Sequence, residues 1–500
     1  MLNEFYRQFK SGTDIRGVAS EGVAGQPVNL TDDVIENMAD GFVLWLSEKV
    51  GKQPSELKIS VGRDSRISGP HIMALTTERF RRAGAQVLCC GLASTPSMFM
   101  TTVDLGCDGA LQITASHHPF NRNGLKFFTR GGGLEGSDIE DILTFAQDGK
   151  HPDLMDGGST TDVDYMTDYA KGLCEKIKRE VNADDYEHPL KGFKIVVDAG
   201  NGAGGFYAEK VLAVLGADTE GSRYLDPDGM FPNHVPNPED AVAMASISEA
   251  VCENNADLGV IFDTDVDRGG AVDSKGNEIN RNRLVAVAAA IALEGNDGGT
   301  VVTDSITSSG LKAFIEENLG GKHYRYRRGY KNVIDKALEP NAQGINCPLA
   351  IETSGHAAMR ENYFLDDGAY LCTKIIIKAA QMRKEGKELD ELTADLREPL
   401  ESREIRYQIT EKDFRACGER IIADLTAYAE AQPDWHLADD NREGVRVSFD
   451  RDNGDGWFLL RLSVHDPIMP LNIESDSEGG VEIILGKLQE FLKTTTGLKL

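Results

Sequence analysis

The sequence predicts an α/β fold: three consecutive, related α/β domains with mixed, largely parallel sheets, then a C-terminal α+β domain, around a central cleft. Its 500 residues suffice for about three or four domains, since a typical domain holds about 150 residues. One local plan occurs three times: a β-branched run, a polar loop, a segment with helical periodicity, a glycine and a second apolar run. Beyond about residue 403 the pattern changes.

The three repeats predict parallel βαβ units. The first strand and the helix of each repeat are expected at 57–61 and 70–82, at 194–197 and 206–215, and at 300–303 and 310–318. Strand, loop, helix and strand in this order are typical of α/β domains whose helices cover the sheet. In such domains the loops after the strands carry function.

The remainder of the chain predicts a domain of another kind. Two apolar runs at 445–449 and 457–462 flank a turn-rich segment, which indicates a β-hairpin. Helices are expected near 413–430 and 480–494. The predicted domains are 1–187, 188–298, 299–402 and 403–500.

Charge and cysteine content restrict the partners and the compartment. With 53 basic and 81 acidic residues the formal net charge is −28, which opposes binding to nucleic acid and to anionic membranes. The eight cysteines form no C-x-x-C pair, as in proteins of a reducing compartment. The N-terminal residues lack the apolar core of a signal peptide, and the longest apolar run, 284–293, is too short to span a bilayer. We therefore expect a soluble, cytoplasmic protein.

A glycine-rich segment, Gly200–Gly205, matches the G-x-G-x-x-G pattern of dinucleotide-binding turns. Close packing of a helix on a strand also selects glycine, and this segment lies in the middle of the chain. The steric explanation is therefore favoured over a dinucleotide site.

An acidic motif follows the apolar run 260–262. Asp263, Asp265 and Asp267 alternate with other residues, and clustered carboxylate oxygens suit Mg²⁺. An EF-hand is excluded because its sixth position, a glycine, is Arg268 here, and its twelfth, a glutamate, is Ser274. The order of the aspartates also fits phosphotransferases in which the first aspartate is the nucleophile, and this alternative stays open.

A serine stands on another loop after an apolar run. Ser116 follows the run 110–113 but lacks the G-x-S-x-G elbow of acyl hydrolases. A hydroxyl beside His117, with Lys126 downstream, instead suits a carrier of phosphoryl groups.

Together these motifs resemble the α-D-phosphohexomutase family, which includes phosphoglucomutase and phosphomannomutase. The segment 114–126 resembles the T-A-S-H-N-P…N-G-x-K signature of that family, and 263–268 resembles its D-G-D-G-D-R metal loop. The segment 352–356 is similar to the sugar-binding G-E-x-S-G-H loop. Further similar segments are Gly12–Gly17, Gly62–Arg66 and Asp366–Gly368, so that the motifs cover nearly the whole chain in the family's order.

The resemblance implies a reaction and its cofactors. Ser116 is expected to be carried as phosphoserine and to interconvert hexose 1-phosphate and hexose 6-phosphate, of glucose or mannose, through a hexose 1,6-bisphosphate that also acts as activator. One Mg²⁺ per chain is expected on Asp263, Asp265, Asp267 and a phosphoserine oxygen. The expected partner is a small phosphosugar, without nucleic acid or membrane, and the chain is expected to be a monomer or a homodimer.

The resemblance also implies residue roles. Lys126 is the expected general acid/base, with His356 on the opposite side of the substrate. Arg16 and His117 complete the expected catalytic set. The expected substrate-binding residues are Gly329, Lys331, Glu352, Ser354, Arg268, Arg461 and Ser463, of which Glu352 and Ser354 bind sugar hydroxyls.

The sequence departs from the family pattern most strongly in the fourth domain. The family's phosphate clamp reads R-P-S-G-T-E-P followed by x-x-R, and the segment 461–470 keeps only Arg461, Ser463 and Pro467. Val464 and Pro470 stand where the clamp has a glycine and its second arginine. A catalytically weakened phosphosugar-binding relative is therefore a second alternative. Milder departures in the other loops are His118, Thr264 and Val266.

Overall fold

The computed structural model describes residues 2–463 and 466–499. The chain forms two compact units, each made of two separate segments. One unit comprises Met1–Leu284 and Ser354–Glu391, and the other comprises Val285–Thr353 and Leu392–Leu500. The domain boundaries drawn from the sequence stay predictions. Among the described residues, no helix combines the length and the apolar character needed to cross a membrane.

The β-strands and helices follow in chain order. The strands are β1 (Lys10–Ser11), β2 (Asp14–Val18), β3 (Lys58–Arg63), β4 (Gln86–Leu92), β5 (Gly109–Ile113), β6 (Arg122–Thr129), β7 (Gly132–Gly133), β8 (Ser159–Asp162), β9 (Ile195–Asp198), β10 (Leu258–Phe262), β11 (Gly269–Asp273), β12 (Glu278–Ile279), β13 (Thr300–Thr303), β14 (Lys322–Arg325), β15 (Leu349–Ile351), β16 (Ala357–Met359), β17 (Leu365–Asp366), β18 (Glu401–Ile409), β19 (His436–Leu437), β20 (Val445–Phe449), β21 (Gly456–Leu460), β22 (Ile468–Ser475) and β23 (Leu498–Lys499). The α-helices are α1 (Glu4–Arg7), α2 (Asp32–Val50), α3 (Gly69–Arg82), α4 (Thr95–Asp104), α5 (Gly136–Gln147), α6 (Tyr165–Val181), α7 (Ala241–Asn254), α8 (Arg281–Leu293), α9 (Ser309–Ala313), α10 (Tyr330–Ala342), α11 (Gly368–Lys384), α12 (Phe414–Glu430) and α13 (Gly480–Leu492). Short 3-10 helices cover Pro54–Glu56, Arg360–Asn362, Leu389–Thr393 and Arg451–Asn453, and π-helical turns cover Tyr207–Leu212 and Phe314–Asn318.

In the unit made of Met1–Leu284 and Ser354–Glu391, the first sheet is mixed. Its strand order is β1-β2-β6-β5-β3-β4-β8, with β7 paired to β6. The strands β5, β3, β4 and β8 are parallel, whereas β6 and β2 run antiparallel to their neighbours. All five residues of β5 are buried, as expected of a strand covered on both faces. The loop that carries Ser116 begins where β5 ends.

The second sheet of the same unit has the order β12-β11-β10-β9. The strand β10 is fully buried and parallel to β9, and it turns back into the antiparallel β11 through the acidic loop 263–268. The glycine motif lies under this loop, because a Cβ on Gly202 would lie 2.6 Å from the carbonyl oxygen of Thr264. Close packing therefore accounts for the G-x-G-x-x-G pattern.

Two of the predicted helices differ from regular α-helix. The helix expected at 206–215 is a π-helical turn, Tyr207–Leu212, and the one expected at 310–318 is α9 followed by a second π-helical turn. Both lie at places of tight packing: a Cβ on Gly205 would lie 2.2 Å from the Leu225 carbonyl oxygen, and one on Gly310 would lie 2.0 Å from that of Arg397. Periodicity in the sequence does not distinguish these widened turns from α-helix.

The segment Ser354–Glu391 completes this unit with the antiparallel pair β16–β17 and the helix α11. Helix α11 packs on α6 and on β11. This packing places His356, just before β16, beside the acidic loop at the end of β10.

The other unit contains a parallel group and an antiparallel sheet. The strands β14, β13 and β15 are parallel, and the antiparallel sheet has the order β19-β20-β21-β22-β18-β23. The predicted hairpin is β20–β21, with Val445 opposite Leu460. Helices α12 and α13 cover this sheet over a core that includes Ile421, Phe458 and Leu488.

Candidate active site

The hydroxyl of Ser116 lies against the acidic loop. Its Oγ donates to Asp263 Oδ2 at 3.2 Å and lies 3.2 Å from Nδ1 of His117. The residue is buried and has a φ of +49°, a left-handed conformation that is uncommon for a serine. The backbone N–H of Ser116 donates to the Thr114 hydroxyl at 2.9 Å, which helps to hold this conformation.

Asp263, Asp265 and Asp267 form a buried triad whose carboxylates each offer an oxygen within 4.8 Å of the others. Burial and the neighbouring carboxylates raise the pKa of Asp263 well above its usual range and that of Asp265 to about 6. Oδ1 of Asp265 and Oδ1 of Asp267 are buried without a hydrogen-bond partner. Repelling carboxylates with unpaired buried oxygens fit the ligand set that a divalent cation neutralises.

Two buried side chains fix the triad. Thr95, the first residue of α4, donates its backbone N–H to the Asp265 carbonyl at 2.8 Å and its hydroxyl to Asp265 Oδ2. Lys126 on β6 donates from Nζ to Asp267 Oδ2 at 2.7 Å. Burial raises the pKa of Asp267, but the charges of Lys126, His356 and Arg268 outweigh it and lower that pKa below its usual value. Asp267 is therefore the carboxyl of the triad that ionises most readily.

Arg268 connects the acidic loop to two other segments. Its backbone N–H donates to Asp263 Oδ1 at 3.2 Å, and its Nε donates to His356 Nε2 at 2.9 Å. Its Nη1 donates to Asn237 Oδ1 and to Glu239 Oε2, both at 3.3 Å. The guanidinium is thus held beside the triad by three side chains.

Both ring nitrogens of His356 are engaged. Nε2 accepts from Arg268, and Nδ1 lies 2.5 Å from Asp366 Oδ2, so Nδ1 carries the proton that Asp366 accepts. In this arrangement His356 holds the Arg268 side chain through Nε2. Ser354, from the same segment, is buried.

The charges of Arg16 and Arg268 act on the two histidines that follow the serine. Arg16 on β2 pairs with Asp14 at 2.9 Å and lies opposite Gly124 on β6, the strand that carries Lys126. The charge of Arg268, together with burial, lowers the pKa of His117, and burial with the charge of Arg16 lowers the pKa of His118 to about 3. The two imidazoles stack with centroids 5.2 Å apart and are neutral at physiological pH.

The other unit holds the remaining predicted residues. Glu352 is buried and accepts the Gly329 backbone N–H at 2.5 Å. Burial raises the pKa of nearby Asp304 to about 7. The charge of Arg328 lowers this pKa, and the charge of Glu352 raises it. Lys331 pairs with Asp335 one turn along α10.

Arg461 and Ser463, which belong to the segment that resembles the family's phosphate clamp, are held through their backbone groups. Arg461 donates its backbone N–H to the Pro470 carbonyl at 3.1 Å, and Ser463 donates its own to the Ile468 carbonyl at 3.0 Å. Burial lowers the pKa of Arg461, with the charge of Glu443 opposing this shift. Val464 and His465, two of the residues that depart from the family clamp, lie outside the described residues.

The structure thus divides the predicted residues between its two units. Ser116, His117, Lys126, Arg16, the triad, Arg268, Ser354 and His356 belong to one unit, and Gly329, Lys331, Glu352, Arg461 and Ser463 belong to the other. Sequence reasoning missed Thr95, Asn237 and Glu239, which hold Asp265 and Arg268 in place. The position of Thr95 at a helix start after a strand was the available signal, since functional loops follow strands at one edge of a sheet.

The fold and the site define an α/β protein with a serine–carboxylate centre at the ends of its strands. Models for the three alpha/beta/alpha domains of phosphoglucomutase/phosphomannomutase match residues 7–151 (domain I), 168–276 (domain II) and 280–400 (domain III). The chain belongs to this family. The predicted family and the predicted fold class are both confirmed.

Relatives and a solved structure extend the similarity to the full length. The chain is 27% identical over 486 residues to a phosphoglucomutase of Neisseria meningitidis serogroup A, covering 97% of this chain and 96% of the relative. It is 29% identical over 446 residues to a phosphomannomutase/phosphoglucomutase of Pseudomonas putida, covering 88% and 89%. A crystal structure of a phosphoglucomutase/phosphomannomutase family protein from Burkholderia thailandensis superposes with a TM-score of 0.80 at 25% identity, with full coverage of both chains.

Proposed function

We propose that this chain is a phosphohexomutase, an isomerase that interconverts hexose 1-phosphate and hexose 6-phosphate of glucose or mannose. The observation that carries the proposal is the contact between the Ser116 hydroxyl and Asp263, at 3.2 Å, within a buried triad of carboxylates. The names of the relatives, phosphoglucomutase and phosphomannomutase, support it.

In the proposed reaction, Ser116 carries the phosphoryl group. It gives this group to one hydroxyl of the sugar phosphate, and the hexose 1,6-bisphosphate formed then returns its other phosphoryl group to Ser116. The left-handed backbone of Ser116 directs Oγ at the triad, where transfer takes place. A catalytic amount of hexose 1,6-bisphosphate is proposed to load the serine.

Asp263, Asp265, Asp267 and an oxygen on Ser116 are the proposed ligands of one Mg²⁺, because the two unpartnered carboxylate oxygens lie in the triad. When bound, Mg²⁺ supplies positive charge that stabilises the phosphoryl group in transit.

Proton transfer is assigned to Lys126. Its Nζ is buried and donates to Asp267 Oδ2 at 2.7 Å, and this position at the triad supports a role beside the reacting hydroxyl of a bound sugar. A side chain at such a place removes the proton from the attacking hydroxyl and returns it in the reverse step. Arg16 and Arg268 are proposed to donate to phosphate oxygens, with His117 beside the serine as a further neutral donor.

His356 is proposed as the acid/base group for the opposite side of the substrate. Its Nε2 accepts from Arg268 in this structure. A substrate phosphate that draws the Arg268 guanidinium away would free this nitrogen for proton transfer. Until then His356 serves to orient Arg268.

The sugar and the distant phosphate are assigned to the remaining predicted residues. Glu352 and Ser354 are proposed to bind sugar hydroxyls, and Gly329, Lys331, Arg461 and Ser463 are proposed to bind the phosphate that does not react. The proposed partner is a small phosphosugar, with neither nucleic acid nor membrane, and we propose a cytoplasmic monomer or homodimer. The net charge of −28 supports the exclusion of polyanions.

A coupled assay tests the proposal. Purified protein with Mg²⁺ and a trace of glucose 1,6-bisphosphate should convert glucose 1-phosphate and mannose 1-phosphate to the 6-phosphates. Ser116→Ala should abolish this conversion, and intact mass should show one added phosphoryl group on the wild type only. Absence of any 6-phosphate product would contradict the mutase and favour a binding protein, whereas phosphate release that survives Ser116→Ala would favour the alternative in which Asp263 is the nucleophile.

A further inference from the structure

Arg66, which follows β3, is enclosed by the loop that carries the reactive serine. Its side chain has no solvent exposure. Nη1 donates to the carbonyl oxygens of Pro119 at 2.7 Å and Arg122 at 2.9 Å. Nη2 donates to those of His118 at 2.6 Å and Ser116 at 2.5 Å. The serine loop, residues 116–122, thus coils around one guanidinium with four of its carbonyls directed inward.

The guanidinium is itself held from behind. Nε of Arg66 lies 3.3 Å from Asp64 Oδ2, and the backbone N–H of Arg66 donates to Asp64 Oδ1 at 2.9 Å. The face of the guanidinium lies 5.2 Å from the ring centroid of Phe231, which is a cation–π distance. The donors of Arg66 therefore occupy fixed positions before any substrate binds.

The contact with Ser116 acts on a strained residue. With a φ of +49°, Ser116 has a backbone conformation that L-residues other than asparagine and aspartate seldom adopt. The Thr114 hydroxyl fixes the peptide group before Ser116, and Nη2 of Arg66 fixes the peptide group after it. Between these two restraints the Oγ atom is directed at Asp263.

We infer that Arg66 is a positioning residue for phosphoryl transfer, which holds the left-handed backbone of Ser116 so that its hydroxyl faces the carboxylate triad. The inference rests on the proposed function, because it assigns a purpose to the orientation of that hydroxyl. Lysine cannot replace Arg66, since an ammonium has three donors around one nitrogen and cannot reach four carbonyls from a planar fork.

The test compares Arg66→Lys with Arg79→Lys. Arg79 also binds a buried carboxylate, because its Nε donates to Asp40 Oδ1 at 2.9 Å. It belongs to the same sheet domain but lies outside the serine loop. For each variant, kcat, KM, the rate at which glucose 1,6-bisphosphate loads Ser116 by intact mass, and Tm are measured. Arg66→Lys should lower kcat and the loading rate together by about tenfold to a hundredfold, as expected for a misplaced nucleophile, with little change in KM. Arg79→Lys should lower Tm without changing kcat.

A second pair of variants keeps the test informative if Arg66→Lys does not fold. Thr114→Val removes the other restraint on Ser116, whereas Thr114→Ser keeps the hydroxyl and should restore loading. Wild-type loading and kcat in a folded Arg66→Lys would overturn the inference, and where Arg66→Lys does not fold, wild-type loading and kcat in Thr114→Val would overturn it. A wild-type protein that neither takes up a phosphoryl group nor turns over would instead overturn the proposed function, so the two failures are distinguishable.

Discussion

Thr95 donates both its backbone N–H and its hydroxyl to Asp265, the middle carboxylate of the triad. The residues are 170 positions apart, and the contact joins the start of α4 in the first sheet domain to the acidic loop that follows β10. Both hydrogen bonds are buried. These two contacts hold Asp265, whose Oδ1 is buried without a hydrogen-bond partner.

Thr95→Val is expected to weaken Mg²⁺ binding. Outer residues that orient a ligand are worth about 10–100-fold in metal affinity, so the Kd measured by calorimetric titration should rise within that range. Thr95→Ser keeps the hydroxyl and should bind nearly as the wild type. Thr101→Val, which removes a buried hydroxyl from the same helix away from the triad, is the control for packing loss. An unchanged Kd in Thr95→Val would contradict the role assigned to this contact.

Two variants of Lys126, which pairs with Asp267 in the interior, separate the effect of its charge from its proposed role in proton transfer. Lys126→Arg keeps a cation beside Asp267, whereas Lys126→Met leaves a buried carboxylate without its partner. Because arginine does not release its proton near neutral pH, both variants should lose about 10²–10⁴-fold in kcat, the range for a lost general acid/base. Only Lys126→Met should lower Tm markedly in the absence of Mg²⁺. Wild-type kcat in Lys126→Arg would show that Lys126 acts through its charge alone.

His234 predicts a pH-dependent contribution to stability away from the triad. Nε2 lies 3.0 Å from Asp198 Oδ1, and Nδ1 lies 2.9 Å from the Val235 carbonyl. Both partners are acceptors, so both hydrogen bonds form only when each ring nitrogen carries a proton, that is, when His234 is cationic. Burial lowers the pKa of His234, but the hydrogen bond and charge of Asp198 outweigh it, and the pKa lies above the usual 6.5.

A raised histidine pKa stabilises the folded state most at low pH. The contribution of His234 is fully present below pH 6.5 and is lost as the pH rises through the folded-state pKa. The difference in free energy of unfolding between wild type and His234→Gln, from urea titrations, should therefore shrink as the pH rises. His71→Gln removes an exposed histidine that pairs with Asp32 and serves as the surface control. A difference for His234→Gln that stays constant above pH 6.5 would exclude a cationic His234.

Local spacing was enough to predict that two groups of the candidate site follow buried strands. Ser116 and the triad each follow a run that forms a buried strand, so their places at strand ends could be predicted from a few neighbouring residues. The contacts that hold these groups in place could not be predicted from neighbouring residues. Thr95 and Asn237 bind partners far along the chain and carry no chemistry that marks them in isolation. Arg66 lies in a segment similar to the family's, but this similarity did not indicate that its side chain binds the carbonyls of the serine loop.

The backbone conformation could likewise be predicted only in part from the sequence. The repeats predicted the sheets, because periodicity reports which residues are buried. Periodicity does not report φ, and neither the left-handed Ser116 nor the left-handed Val266 could be predicted from the residue types at these positions. The division of the third predicted domain between the two compact units also depends on long-range packing, which sequence patterns do not describe.

Val266, between the second and third carboxylates of the triad, has a φ of +68° and is fully buried. A β-branched residue in this region is strained, at a cost of about 1–2 kcal/mol, and the family motif resembled by this loop has glycine here. At an ordinary buried position, glycine is less stable than alanine by about 0.5–1 kcal/mol. At Val266 that order should reverse, because glycine alone adopts a positive φ without strain.

We therefore expect Val266→Gly to be more stable than Val266→Ala by about 1 kcal/mol, although it removes more of the side chain. Val260 on β10 is equally buried in regular strand, so Val260→Gly should be less stable than Val260→Ala. Urea denaturation of the four variants, without Mg²⁺, gives both differences. If glycine is the worse substitution at both positions, the backbone at Val266 carries no strain and the turn between the carboxylates of the triad is held by the buried side chain instead.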